Sequence, residues 1–131
     1  MRMLLDTDVL LDFAIGRKPH VENSSRLLEW ASRHPGQCAV AWHSIANIHY
    51  LTKGKSEEFI EDLLEFIVIP RAGTLEMKQA LDFGFPDLED AMQVAAAALF
   101  KAQIIVTRNT RDFRKSPIRT VTTEEALTLL Q

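Results

Sequence analysis

The chain has 131 residues, 47% of them hydrophobic and 25% charged, close to the globular average, which points to one domain spanning residues 1–131 and excludes a multidomain machine. Fifteen Lys and Arg against eighteen Asp and Glu leave a formal charge of -3, which excludes a uniformly basic nucleic-acid coat while allowing a local basic patch. A lone cysteine, Cys38, excludes an intramolecular disulfide framework and a multi-thiolate zinc site, and fits a reducing cytoplasm.

The opening Met1-Arg2-Met3-Leu4-Leu5-Asp6 meets an acid before the apolar core of a signal peptide could form. The longest apolar run, residues 91–99, stops well short of the roughly 20 residues that a membrane span needs. A soluble cytoplasmic protein with no membrane contact is therefore expected. Met3-Leu4-Leu5 reads as a short buried strand ending at the polar Asp6-Thr7-Asp8, with Val9, Leu10, Leu11 and Phe13 following before a break at residues 16–19. Residues 21–31 carry Val21, Leu27, Leu28 and Ala31 at helical spacing, and His34-Pro35-Gly36 ends that helix. Cys38-Ala39-Val40-Ala41 is a second short apolar run, followed by a helical pattern over residues 44–51 that Lys53-Gly54 closes.

Ser56 before Glu57 and Glu58 has the form of a helix start, its hydroxyl available to unpaired N–H groups and the acids opposing the dipole. Residues 66–69, β-branched and aromatic and ending at Pro70, read as a third strand. Another helix starts at Thr74. Asp87-Leu88-Glu89-Asp90 opens an alanine-rich helix running to about Phe100, with Asp87 as its N-cap. Ile104-Ile105-Val106 is the clearest strand, residues 118–121 form one more, and Thr122 with Glu125 has the spacing of a capping box for a last helix. Helices alternating with short strands imply an α/β fold around a mostly parallel sheet, whose ligand sites lie outside the carboxyl ends of the strands.

That rule selects Asp6 and Asp8 after the first strand, Asp87 and Asp90 at a helix start, and Thr107, Asn109 and Asp112 after residues 104–106. Carboxylates gathered at one sheet edge repel, and a hard cation such as Mg2+ or Mn2+ is the usual means of keeping them ionised together. Such an ion polarises phosphate oxygens and acidifies water, chemistry suited to phosphodiester hydrolysis. Arg108, Arg111, Arg114, Lys115 and Arg119, a third of the basic residues, lie beside this site as a phosphate-contacting rim or a solvated loop. Bland readings stand beside each assignment: Asp87 as a cap, Asp8 as a loop residue, Thr107 and Asn109 as turn formers. His43 and His49 lack the spacing of a metal pair, and Trp30 and Trp42 read as core or interface aromatics.

Three ordered motifs, Leu4-Leu5-Asp6-Thr7-Asp8-Val9-Leu10-Leu11, Asp87-Leu88-Glu89-Asp90-Ala91 and Val106-Thr107-Arg108-Asn109-Thr110-Arg111-Asp112-Phe113, resemble the PIN-domain family of VapC-type toxin ribonucleases across essentially the whole chain. The resemblance implies a three-layer α/β/α PIN-like fold with a central, mostly parallel sheet. It also implies a Mg2+- or Mn2+-dependent endoribonuclease, RNA as substrate, an antitoxin partner and a homodimer. By it, Asp6 and Asp90 are metal ligands and Asp112 a further catalytic acid. Asp8, Asn47, Asp87, Thr107 and Asn109 are expected as supporting groups, and the basic rim of Arg108, Arg111, Arg114 and Lys115 is the candidate for RNA contact. The sequence departs from the family in two places: Asn47 stands where a glutamate is usual, and Asn109 where many members carry aspartate. A carboxamide offers oxygen without charge, so the alternative is a catalytically weakened PIN-like domain that binds RNA or protein. Asp6-Thr7-Asp8 also resembles the nucleophile loop of haloacid-dehalogenase phosphatases, with Asp6 phosphorylated and Asp8 as acid/base.

Overall fold

The computed structural model describes residues 1–131. Four strands, β1 (Met3–Leu5), β2 (Cys38–Ala39), β3 (Ile104–Val106) and β4 (Arg119–Val121), form one sheet in the order β2-β1-β3-β4. Every pairing is parallel, with Leu4 opposite both Ala39 and Ile105, and Ile105 opposite Thr120. The chain leaves β1 toward β2 on one side and returns to β3 on the other, so the strand order reverses between β1 and β3. In an open α/β sheet that reversal opens a crevice at the carboxyl ends of the two strands.

Alternation along the strands sorts the core into two faces. Met3, Leu5, Ile104 and Val106 pack with Leu10, Leu27, Leu28, Ile48 and Leu63 from helices α1 (Thr7–Ile15), α2 (Val21–Arg33), α3 (Trp42–Leu51) and α4 (Glu57–Leu63). Leu4 and Ile105 point the other way, onto Val94, Ala97 and Phe100 of α6 (Leu88–Phe100). Helix α5 (Thr74–Asp82) closes that side by packing Ala80 against Ala91 and Ala95. Helix α6 is thus covered on two sides, which is why its sequence is rich in alanine: a side chain of one carbon lets sheet and α5 both approach closely. The last helix, α7 (Thr123–Leu129), lies against α2. The three-layer α/β/α architecture expected from the sequence is the one observed.

Strand β1 gives way to α1 within one residue. Asp6 is extended, its N–H still donates to Val106 O at 2.9 Å, and its carboxylate accepts from Thr7 N as the cap of α1. At the far end Gly16 adopts a left-handed conformation, φ 72°, with its N–H donating to Asp12 O and Phe13 O, a stop that a Cβ would strain.

Two sequence expectations fail locally. Residues 66–69 do not form a strand: only Val68 bridges Ala39, because Phe66 and Ile67 still donate their N–H groups to Leu63 O at the end of α4 and Pro70 has none to give. Ser56 precedes α4 without a side-chain cap bond; its buried hydroxyl accepts from Thr52 Oγ1 at 2.7 Å. Asp87, by contrast, caps α6 by accepting from Glu89 N, and Thr122 with Glu125 forms the expected capping box.

Candidate functional site

The carboxyl ends of β1 and β3 deliver Asp6 and Thr107 to the crevice side by side. Thr107, fully buried, donates its hydroxyl to Asp6 Oδ2 at 2.8 Å, while Asp6 Oδ1 accepts from Thr7 N at 2.7 Å. Each carboxylate oxygen keeps a lone pair free. Burial pushes the Asp6 carboxyl up to about 7, helped by the charges of Asp8 and Asp90 and opposed by the two hydrogen bonds.

Asp8 lies in the first turn of α1, not in a loop, and serves the segment after β3. Its Oδ2 accepts from Arg108 N at 3.2 Å and from Asn109 Nδ2 at 3.1 Å, while Asn109 N donates to Thr107 Oγ1 at 3.1 Å. Burial raises the Asp8 carboxyl, and its Oδ1 is buried without a partner. Asn109 therefore acts here as a donor that a second aspartate could not replace. One turn further along α1, Asp12 is fully buried and meets Arg108 Nε at 2.8 Å and Arg17 at 3.7 Å. Arg108 thus turns its charge inward, away from the rim to which the sequence assigned it.

Asp90, in the first turn of α6, completes the acidic group. Burial raises its carboxyl to about 6, with the charges of Asp87, Asp112, Glu89 and Asp8 pushing the same way. Asp87, Asp90 and Asp112 line a cleft of about 440 Å3 together with Arg111, Arg114 and Lys115, so acids and bases share its walls. Asp112 is exposed within a 3-10 turn (Thr110–Phe113) anchored by buried Phe113. Lys115 donates to Gly84 O at 3.0 Å. Asn47, on α3, donates to Glu89 Oε1 at 2.7 Å.

Beneath the acids runs a polar network for which the sequence held no signal. Gln93, fully buried on α6, donates to Ser44 Oγ at 2.8 Å, and Thr7 Oγ1 donates to the same atom at 2.8 Å. His43 Nε2 lies 3.3 Å from Gln93 Nε2, and burial lowers that imidazole's pKa. These residues tie the starts of α1 and α3 to the middle of α6. Trp30 is half-buried and stacked on His34, whereas Trp42 is 75% exposed and so no part of the core.

Oxygen donors of this kind suit a hard divalent cation. Asp6 and Asp90 are both held in an environment that resists their negative charge, and a bound cation would relieve it. As the side chains are placed, no three Asp, Glu, His or Cys residues stand together closely enough to hold a metal ion.

A family model described as PIN domain matches residues 2–111. The fold is similar to a toxin–antitoxin complex from Klebsiella pneumoniae, with TM-score 0.68 and 24% identity over 92% of this chain and 97% of that one. It is also similar to FitAcB from Neisseria gonorrhoeae, with TM-score 0.65 and 15% identity over 93% and 98%. FitAB bound to a DNA fragment matches with TM-score 0.65 and 14% identity over 92% and 94%. No curated protein matches the chain.

Proposed function

The chain belongs to the PIN-domain family, and from that premise we propose that it is a metal-dependent ribonuclease, the toxin of a toxin–antitoxin pair, working as one domain over residues 1–131. What supports this reading is Asp6, bonded to Thr107 at the crevice between β1 and β3 and near enough to Asp8 and Asp90 for their charges to act on it. The phosphatase reading has no counterpart in the family match.

Asp6 and Asp90 would hold Mg2+ or Mn2+, with Asp112 as a further acid at the cleft wall. When bound, the cation supplies charge stabilisation to the phosphate and acidifies attacking water. Thr107 orients Asp6, and the tie from Asp8 to Arg108 N and Asn109 fixes the segment that carries Thr107. Arg111 and Arg114 offer charge to RNA phosphates at the cleft, with Lys115 beside them. Asp87 keeps the start of α6 ordered.

Similarity to a toxin–antitoxin complex from Klebsiella pneumoniae supports an antitoxin partner. A homodimer and a cytoplasmic location complete the proposal; no helix is long and apolar enough to cross a membrane. The test is cleavage of mixed RNA substrates with Mn2+, Mg2+ or EDTA. Wild type is expected to cut only with the cation, and Asp6→Asn or Asp90→Asn to lose at least about 100-fold, since each removes a charge that positions the ion. Activity that ignores EDTA sinks the proposal. Asn47 and Asn109, both spent on hydrogen bonds to acids, keep a second reading in play, a domain that binds RNA or protein without cutting. RNA binding without cleavage under every cation would favour it.

A further inference from the structure

The starts of α3 and α5, with the middle of α6, enclose a hollow of about 330 Å3 at the carboxyl edge of the sheet, apart from the acidic cleft. Buried Ala95 and Ala96 line it without filling it, and Trp42, Met77 and Met92 supply an indole and two thioethers. A concave, mostly apolar space of that size with a few fixed polar groups is the form of a small-ligand site. The indole of Trp42 is 75% exposed, so most of a large aromatic surface is left uncovered at the rim.

His43 is a polar group on the same wall. Gln93 Nε2, an amide nitrogen that can only donate, lies 3.3 Å from His43 Nε2, so that ring nitrogen accepts and the proton of the neutral imidazole sits on Nδ1. Burial lowers the pKa of this imidazole and keeps it neutral. The same amide nitrogen is 3.4 Å from the Oγ1 of Thr7, the residue after Asp6. A single buried side chain therefore separates the wall of the hollow from the start of α1 at the acidic crevice.

We propose that this hollow is a nucleobase subsite, in which an unpaired base of the RNA strand stacks on the Trp42 indole with its edge accepting from His43 Nδ1, while phosphates of the same strand meet Arg111 and Arg114 in the neighbouring cleft. The proposal rests on the RNA reading given above. The arginines hold a backbone that is alike in every sequence, whereas single-stranded RNA is read by stacking and at base edges. A paired base cannot enter the hollow, so the substrate is a single-stranded segment.

Binding of a short RNA of mixed bases, and of an abasic ribose-phosphate strand of equal length, tests this in EDTA, where binding is read without cation-dependent cleavage. Wild type, Trp42→Ala, Trp42→Phe, His43→Phe and Arg111→Ala are compared, with thermal melts confirming that each is folded. Wild type is expected to prefer the RNA to the abasic strand by about 10-fold, the order of one base–aromatic stack. Trp42→Ala is expected to lose that preference while binding the abasic strand as wild type does, and Trp42→Phe to keep most of it. His43→Phe, which retains a ring without a donor, is expected to keep part of it; an unchanged preference there strikes His43 from the site. Arg111→Ala is expected to weaken both strands alike. Equal binding of the two strands by wild type, or a preference that survives in Trp42→Ala, overturns the subsite, and the RNA reading stands if Arg111→Ala weakens both. If Trp42→Ala keeps the preference and turns a dimer into a monomer in sedimentation, the indole is a subunit contact instead. If wild type binds neither strand, both readings fall together.

Discussion

Burial lifts the Asp6 carboxyl to about 7, and the charge of Asp8 adds to it, so in the metal-free protein the ionised form is the one that the fold disfavours. The unfolded chain holds this group near its ordinary 3.8, so between about 4 and 7 the folded state binds more protons and folding stability falls as pH rises. Above about 7 both states are ionised and the penalty is constant. Asp90, raised to about 6, acts in the same direction. Melts in EDTA should therefore show Asp6→Asn gaining stability over wild type as pH rises from 4 to 8, with a slope of up to ~1.4 kcal/mol per pH unit. A difference that is flat across that range would contradict the burial of Asp6. Asn109 makes a second case at this scale. Its Nδ2 donates to Asp8 Oδ2, so Asn109→Asp, although closer to the family's usual residue, removes a donor and adds a repelling charge. It is expected to lower stability by about 1 kcal/mol in urea titration and not to tighten Mn2+. The acids at these positions were legible from their place after apolar strands. That Asp8 supports a loop and Arg108 faces inward was not, because neither partner is near in sequence.

The element that organises the site is the segment after β3, held from below by α1. Asp8 and Asp12, one turn apart on that helix, grip Arg108 through its backbone N–H and its guanidinium. Arg108→Ala would leave Asp12 buried with only Arg17 at 3.7 Å, and removing one partner of a buried pair costs roughly 3 kcal/mol. A clear fall in Tm is expected for Arg108→Ala. Arg111→Ala and Arg114→Ala should change stability by no more than about 0.5 kcal/mol, since both side chains are exposed. These two should instead weaken RNA binding and each lower its salt slope by about one. A stable Arg108→Ala with the same binding defect would return that residue to the rim. Later helices are legible from apolar spacing and caps, as α6 shows from Asp87 to Phe100, but α1 is not, its first turn reading as a loop. The segment 66–69 misled because β-propensity reports a half-buried surface, and there the preceding helix had already taken the N–H groups.

For the whole molecule, the site lies where a parallel sheet reverses its strand order, so a ligand bound there bridges α1, α6 and the segment after β3 in one stroke. Binding to the folded state alone stabilises by mass action, ~2.7 kcal/mol at one hundred times Kd. Millimolar Mn2+ at pH 8 is therefore expected to raise Tm by several degrees in wild type and not in Asp6→Asn, as scanning fluorimetry would read; an equal shift in both would place the ion elsewhere. The sequence by itself determined the alternation of helix and strand, the parallel sheet and the acids at its carboxyl edge, because apolar periodicity and helix caps are local and carry their own signal. The charge of -3 also proved an average over an acidic cleft and basic residues on the same walls. Only the tertiary structure decided which partner each polar group takes: Asp12 with Arg108, Asn109 with Asp8, Gln93 with Ser44, Asn47 with Glu89. Those pairs join residues tens of positions apart, and such contacts depend on how the layers stack, which no local pattern encodes.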